Sequence, residues 1–196
     1  MVGDMDSNNI TWDEAGPRLA LGEVGVLPTD TLYGIVGSSL KTLTIERIYT
    51  LRKRELDKPL IVLINDRQDL ARFGVELNER TQKLLDKVWP GPVSVIVSVE
   101  SPEWAYLHRG TRSIAFRVPN KPRLRELLSI VGPLSAPSAN LAGEQPAETI
   151  AEAKAYFGDA IFYVDEGKHA GAASALVDAR TEPMRILRPA PGFRLE

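Results

Sequence analysis

The chain of 196 residues has no cysteine and only two histidines, His108 and His169. Without thiols, a disulfide framework, a thiolate nucleophile and Cys-ligated zinc are all excluded. Two imidazoles that far apart leave a Ser-His-Asp triad to chance, and both read as surface residues. An excess of positive charge is also missing. Lys and Arg number 24 against 26 Asp and Glu, a formal net charge of -2, so any grip on nucleic acid must come from a local patch. No apolar run approaches the roughly 20 residues of a membrane span. The polar, acidic start "MVGDMDSNNITWDEAG" is not a signal peptide, so the expected location is the cytoplasm. Neither G-x-G-x-x-G nor G-x-x-x-x-G-K-[ST] occurs, which removes the usual dinucleotide and phosphate loops.

The chain is 43% hydrophobic and 26% charged, ordinary for a soluble domain with an ample core. Its length suits one domain over residues 1–196, with 1–20 and 190–196 as loose termini. Short apolar strands are expected at 23–27, 59–64, 93–99, 113–118, 161–164, 175–177 and 184–187. Helices are expected at 42–54, from Asp66 to Phe73, from Asn78 to Val88, at 122–131 and from the Thr149–Glu152 capping box to Gly158. Strands interleaved with helices, several in succession, predict an α/β fold with one twisted mixed sheet.

Five segments can carry chemistry. In "LPTDTLYG", the hydroxyls of Thr29 and Thr31 follow a strand, where α/β sheets place ligands; Asp30 accepting backbone N–H bonds in a turn is the competing reading. In "LRKRELDKPL", Arg52, Lys53, Arg54 and Lys58 follow a helix C-terminus, which cations stabilise, and they also suit phosphate oxygens. In "PLSAPSANLAG", Ser135, Ser138 and Asn140 are separated by small residues, so backbone N–H groups can approach an anion. No base accompanies Ser138, which therefore reads as a donor rather than a nucleophile. Arg117 in "IAFRVP" shares its strand face with Ala115 and Ser113, although an arginine in an alternating strand ordinarily points to solvent. Ser174 and Arg188 are unremarkable singly. Trp89 in "WPGP" reads as a packed tryptophan ending a helix.

Taken together and in order, "PTDTLYG", the basic cluster leading into "KPLIVLI", "WPGPVSVIV", "IAFRVP", "SAPSAN" and "ALVD…RILRP" resemble the YrdC-like family of threonylcarbamoyl-AMP synthases. The resemblance spans residues 27–189 and looks like the short, single-domain form. It implies an α/β sheet with a concave basic surface and a nucleotidyltransferase making threonylcarbamoyl-AMP and pyrophosphate from L-threonine, bicarbonate and ATP with Mg2+. Partner enzymes would carry the group to adenosine 37 of tRNA, and weak tRNA or double-stranded RNA binding would accompany it. Carried over by residue, Arg52 and Arg54 would be catalytic, and Thr31, Arg117 and Ser174 would hold threonine. Arg54, Lys58, Ser113, Ser138, Asn140 and Arg188 would hold ATP, and no protein metal ligand is implied. The chain departs from the family pattern at Arg52 (usually Lys), Leu63 (often His), Ser113 (often Thr), Ala175 (usually Thr) and Lys121 (usually His). The alternatives are a paralogue with another carbamoyl-adenylate substrate, motivated by Arg52, Leu63 and Ala175, and a non-catalytic RNA-binding module.

Overall fold

The computed structural model describes residues 8–195. Nine strands form one mixed sheet in the order β7-β1-β2-β6-β3-β5-β4-β8-β9. These are β1 Gly25–Pro28, β2 Tyr33–Ser38, β3 Ile61–Leu63, β4 Val93–Ser98, β5 Ser113–Arg117, β6 Leu134–Ser135, β7 Phe162–Tyr163, β8 Ala175–Asp178 and β9 Arg185–Arg188. The helices are α1 Trp12–Leu21, α2 Thr42–Arg52, α3 Glu79–Val88, α4 Ala105–His108, α5 Pro122–Val131 and α6 Ile150–Phe157, with a 3-10 helix at Arg67–Phe73. The parallel pairs β3–β5 and β4–β8 sit beside antiparallel β4–β5 and β1–β2, which makes the sheet mixed, as expected.

Local chemistry explains most of the helix boundaries. The Asp66 carboxylate accepts the Gln68 N–H at 2.8 Å, and Gly74 closes that 3-10 helix at φ 67°, a conformation glycine adopts without strain. The Asn78 Oδ1 caps α3 by accepting from Thr81 N at 2.8 Å. At α6 the Thr149 hydroxyl accepts from Glu152 N at 3.3 Å, but the Glu152 carboxylate reaches Glu148 N rather than returning to the cap.

Alternation along the strands divides the core into two layers. One sheet face carries Val26, Ile35, Val62, Val95, Ile114 and Phe116 under α2, α3 and α6. The other carries Leu27, Val36, Leu63 and Leu134 under α1 and α5. That second layer is incomplete. Where α1 and α5 end, Gly34, Ile61, Ala136 and Arg117 line an open cavity instead, and the floor of the site is this uncovered part of the sheet.

Three expectations are corrected. Residues 12–20 are not a loose terminus: Thr11 and Glu14 form a full capping box opening α1, and Trp12, Ala15 and Leu19 are buried. Residues 190–195 are not loose either, since Phe193 and Leu195 pack on the core. His108 is not a surface residue; it is 6% exposed, with Nδ1 accepting from Gly110 N at 3.2 Å. His169 is half-buried with its ring edge-on to Tyr33.

Candidate active site

The site begins in the turn between β1 and β2. The Thr29 hydroxyl donates to Leu32 O at 2.7 Å, accepts from Thr31 N at 3.1 Å and lies 3.0 Å from the Thr31 hydroxyl. Thr29 thus organises the turn, a task the sequence pointed to for Asp30. Asp30 instead reaches across to β5, where its Oδ1 lies 3.1 Å from Arg117 Nη2 and its Oδ2 accepts from Asn120 N at 3.0 Å. Arg117 is 3% exposed, so the solvent-facing orientation usual for strand arginines does not hold here.

The loop after β6 packs beside this turn because it extends the sheet. Ile35 N donates to Pro137 O at 2.9 Å and Ala139 N to Tyr33 O at 2.8 Å. Behind it stands Arg52, also 3% exposed. Its Nε donates to Asn140 O at 3.0 Å and its Nη2 to Asn140 Oδ1 at 3.1 Å, with a longer 3.5 Å contact to the Ser138 hydroxyl. The two amide hydrogens of Asn140 go to Leu141 O at 2.7 Å and Glu144 O at 2.9 Å. Phosphate oxygens require donors, and both of Asn140's side-chain donors are engaged. Asn140 is therefore a brace for the loop rather than the phosphate contact expected from sequence, and Arg52 is its clamp.

At the far side, Arg188 donates from Nε to Ser174 O at 2.8 Å and from Nη2 to the Ser174 hydroxyl at 3.1 Å. That hydroxyl also lies 2.9 Å from the hydroxyl of Ser94. Ser94 was not legible as a site residue; its one signal is a serine in the otherwise apolar strand "VSVIV". A second missed residue is Gly171. A Cβ there would stand 2.0 Å from Thr31 O, closer than atoms can approach, so only glycine lets the loop before β8 lie on the threonine turn.

Arg54 follows a helix end reversed by Lys53 in the left-handed conformation, φ 49°. Its guanidinium is steered by Lys58 O at 3.1 Å and Pro59 O at 3.3 Å. Lys58 is exposed and ion-paired with Glu55, and it does not line the cavity. Ser113 is buried at the start of β5, its hydroxyl donating to Thr111 at 3.2 Å. It shares the face of Arg117 but lies roughly 13 Å along the strand from it, at about 3.3 Å per residue.

The electrostatics are one-sided. Burial lowers the pKa of all four arginines, that of Arg52 to about 10. Neighbouring cations lower three of them further: Arg54 acts on Arg52, Arg188 on Arg117, and Arg54 on Arg188. The four guanidiniums thus form a chain of repelling charges, and Asp30 is the carboxylate that offsets Arg117. Two of them, Arg117 and Arg188, line a cavity of about 50 Å3 together with Thr29, Thr31, Ser138 and Ser174, among others. It brings together the hydroxyls and cations of four separate motifs. Like charges held in a low-dielectric cleft favour an anionic ligand strongly. Among the described residues no cluster of three His, Asp or Glu could hold a metal.

The Sua5/YciO/YrdC family model, described as "Telomere recombination", matches residues 18–190. The chain belongs to that family. A relative from Vibrio campbellii, named threonylcarbamoyl-AMP synthase, is 30% identical over 183 residues, covering 90% of this chain and 97% of its own. P. abyssi Sua5, solved in complex with L-threonine, matches at TM-score 0.85 and 25% identity, over 91% of this chain and 53% of that one. E. coli YciO matches at TM-score 0.82 and 20% identity over 93% and 90% of the two chains, a likeness of fold.

Leu63 and Ala175, two positions at which the sequence departs from the pattern that the resemblance implies, are both fully buried. Leu63 joins the apolar layer under α1 and α5, and Ala175 the opposite layer. Neither lines the cavity. Lys121, a third departure, donates to Glu166 at 2.6 Å, and the other oxygen of that carboxylate accepts from the Trp12 indole at 2.7 Å. This tie anchors α1 to the start of the loop that covers Thr31.

Proposed function

We propose that this protein is an L-threonylcarbamoyladenylate synthase, making threonylcarbamoyl-AMP and pyrophosphate from L-threonine, bicarbonate and MgATP. The observation that carries the reading is a hydroxyl-lined strand end bordered by Arg117 and Arg188, with Arg54 close enough to act electrostatically on both Arg188 and the buried Arg52. Such a set suits two anions, a carboxylate and a polyphosphate, held side by side. The names of the relatives support it, as does the bound L-threonine in P. abyssi Sua5.

The chemistry needs no protein nucleophile. The amine of threonine attacks CO2 with loss of a proton, or bicarbonate with loss of water, to give a carbamate. A carbamate oxygen then attacks the α-phosphorus, the bond to the β-phosphate oxygen breaks, and pyrophosphate leaves with the electron pair. Arg117 holds the threonine carboxylate, with Thr31 and Ser174 at the amino acid's polar groups. Arg54 and Arg188 face the phosphates, Ser138 donates from the loop clamped by Arg52 and Asn140, and Ser113 marks the nucleotide's end of the floor. Catalysis then rests on positioning and on neutralising the leaving group. Mg2+ arrives as MgATP, riding on phosphate oxygens, since the carboxylate at the site, Asp30, is engaged by Arg117 and Asn120.

The product would pass in the cytoplasm to enzymes that transfer the group to tRNA. Threonine is favoured over another amino acid because the departures at Leu63 and Ala175 lie in packed layers and leave the hydroxyls of Thr29, Thr31 and Ser174 in place. The test is pyrophosphate release from MgATP by the purified protein. Release should require both L-threonine and bicarbonate. No release above a threonine-free control, or faster release with another amino acid, rejects the reading.

A further inference from the structure

The segment between β7 and β8, residues 164–174, crosses from one edge of the sheet to the strand beside the other edge, and it forms no helix or turn on the way. It is a strap, and it supplies Ala173 and Ser174 to the wall of the cavity. Its ties are uneven. The Glu166 carboxylate is held by Lys121 and the Trp12 indole. Lys168 pairs with the Glu148 carboxylate at 3.0 Å, and His169 N donates to Glu148 O at 2.7 Å. Residues 170–173, by contrast, make no hydrogen bond with any described residue. They rest on the threonine turn through the close approach of Gly171 to Thr31 O.

One further tie comes from the strand that follows the threonine turn. The Tyr33 hydroxyl donates to Gly167 O at 2.8 Å and accepts from Glu166 N at 3.1 Å. Its ring is buried in the core and meets His169 edge-on, with centroids 5.4 Å apart. Burial pushes the phenol pKa above its ordinary value, so the hydroxyl keeps the proton it gives to Gly167 O. A phenol has one proton to donate. Tyr33 borders the cavity, yet its hydroxyl has no proton left for a ligand. Tyr33 opens β2, two residues after Thr31. The ties at Trp12, Lys121 and Glu148 hold the strap to the rest of the fold, whereas the phenol sets its register against Thr31.

We infer that Tyr33 is a positioning residue for the amino-acid half of the site. By fixing residues 166 and 167 against β2, it places Gly171 on the Thr31 turn and Ala173 in the cavity wall. The inference rests on the synthase reading above and adds to it a residue that acts through the strap rather than on the ligand.

The test is Tyr33→Phe, which keeps the ring and removes both hydrogen bonds. The KM for L-threonine should rise about fivefold or more, the loss of one or two hydrogen bonds. The KM for ATP and kcat should stay within twofold, and the melting temperature within a few degrees of wild type. A role in packing alone would not split the two KM values. Hydrogen exchange read by mass spectrometry tests the same tie without substrate: amides of residues 165–174 should exchange several-fold faster in the variant, with those of β4 and β5 unchanged. Equal rises in both KM values, a threonine KM within twofold of wild type, or strap amides exchanging at the wild-type rate overturn the inference. Wild type measured alongside separates the two failures. A wild type that releases no pyrophosphate with L-threonine rejects the synthase reading, whereas a competent wild type matched by Tyr33→Phe rejects only the role of Tyr33.

Discussion

Arg117 and Asp30 form an ion pair of 3.1 Å with both side chains about 5% exposed or less, yet Arg117 Nε and Asp30 Oδ1 make no hydrogen bond within the protein. A buried pair with a donor still unmet is incomplete as a structural device and ready for a ligand carboxylate. Arg117→Lys keeps the charge and loses the fork. The KM for L-threonine is expected to rise about 10- to 100-fold, the loss of a charged hydrogen bond, with the KM for ATP within twofold. Equal rises in both would remove Arg117 from the amino acid.

The other partner answers for the fold. Asp30→Asn leaves the Arg117 charge buried beside Arg188 with nothing to offset it. Breaking a buried pair in this way destabilises by about 3–5 kcal/mol. In a chain of this size the melting temperature should fall by on the order of 10 °C, readable by calorimetry. An unchanged melting temperature would show that solvent reaches the pair.

Arg52 and Asn140 should act as one unit. Each clamps the loop that presents Ser138, so Arg52→Lys and Asn140→Ala should slow pyrophosphate release, and the double variant should be little worse than either alone. Residues in one hydrogen-bond network couple by about 0.5–3 kcal/mol. Additive losses in a double-mutant cycle would mean that Arg52 touches the ligand independently of the loop.

Gly171→Ala places a Cβ 2.0 Å from Thr31 O, and the turn must move to admit it. The KM for L-threonine should rise tenfold or more. Gly16→Ala is the contrast. Its Cβ would meet Leu127 at 3.5 Å, an ordinary contact, inside helix α1. There the change should stabilise by about 0.5–1 kcal/mol and leave activity unaltered.

Acid sensitivity should have an identifiable source in Asp178. Two-pronged hydrogen bonds from Arg180, 2.9 and 2.8 Å, hold its pKa below the ordinary 3.8. The folded value is lower than the unfolded one, so the stabilisation is complete above about pH 5 and is lost as pH falls through the folded value. The melting temperature of Asp178→Asn should therefore lie below wild type at pH 7 and approach it near pH 2. A gap that does not narrow would assign the effect to packing.

Local chemistry fixed much of the architecture in the sequence itself. The caps at Asp66, Asn78 and Thr149, the apolar runs that became β4 and β5, and the glycine stops are short-range signals, and each falls within a residue or two of the observed boundary. Helix α1 went unread although Thr11 and Glu14 spell its capping box, because a polar, acidic start resembles a loose terminus. Strand β2 was hidden by Gly34 and Gly37, which weaken any strand signal. These glycines stand where Thr29 and helix α2 approach the backbone closely.

The sequence by itself determined the family, the mixed α/β class and the residue types of the site, since those are carried by short motifs in a fixed order. Only the tertiary structure decided their roles. Asp30 was a turn residue until β5 brought Arg117 to it. Asn140 looked like a phosphate ligand until both of its amide hydrogens were found on the loop backbone, and Arg52 until its Nε and Nη2 were found donating to Asn140. Gly171 had no local signal, and Ser94 had only that of a serine inside an apolar strand. The reason is physical. Propensity and capping act over a few residues, whereas burial, charge repulsion and the engagement of a donor depend on which distant segment the sheet places alongside.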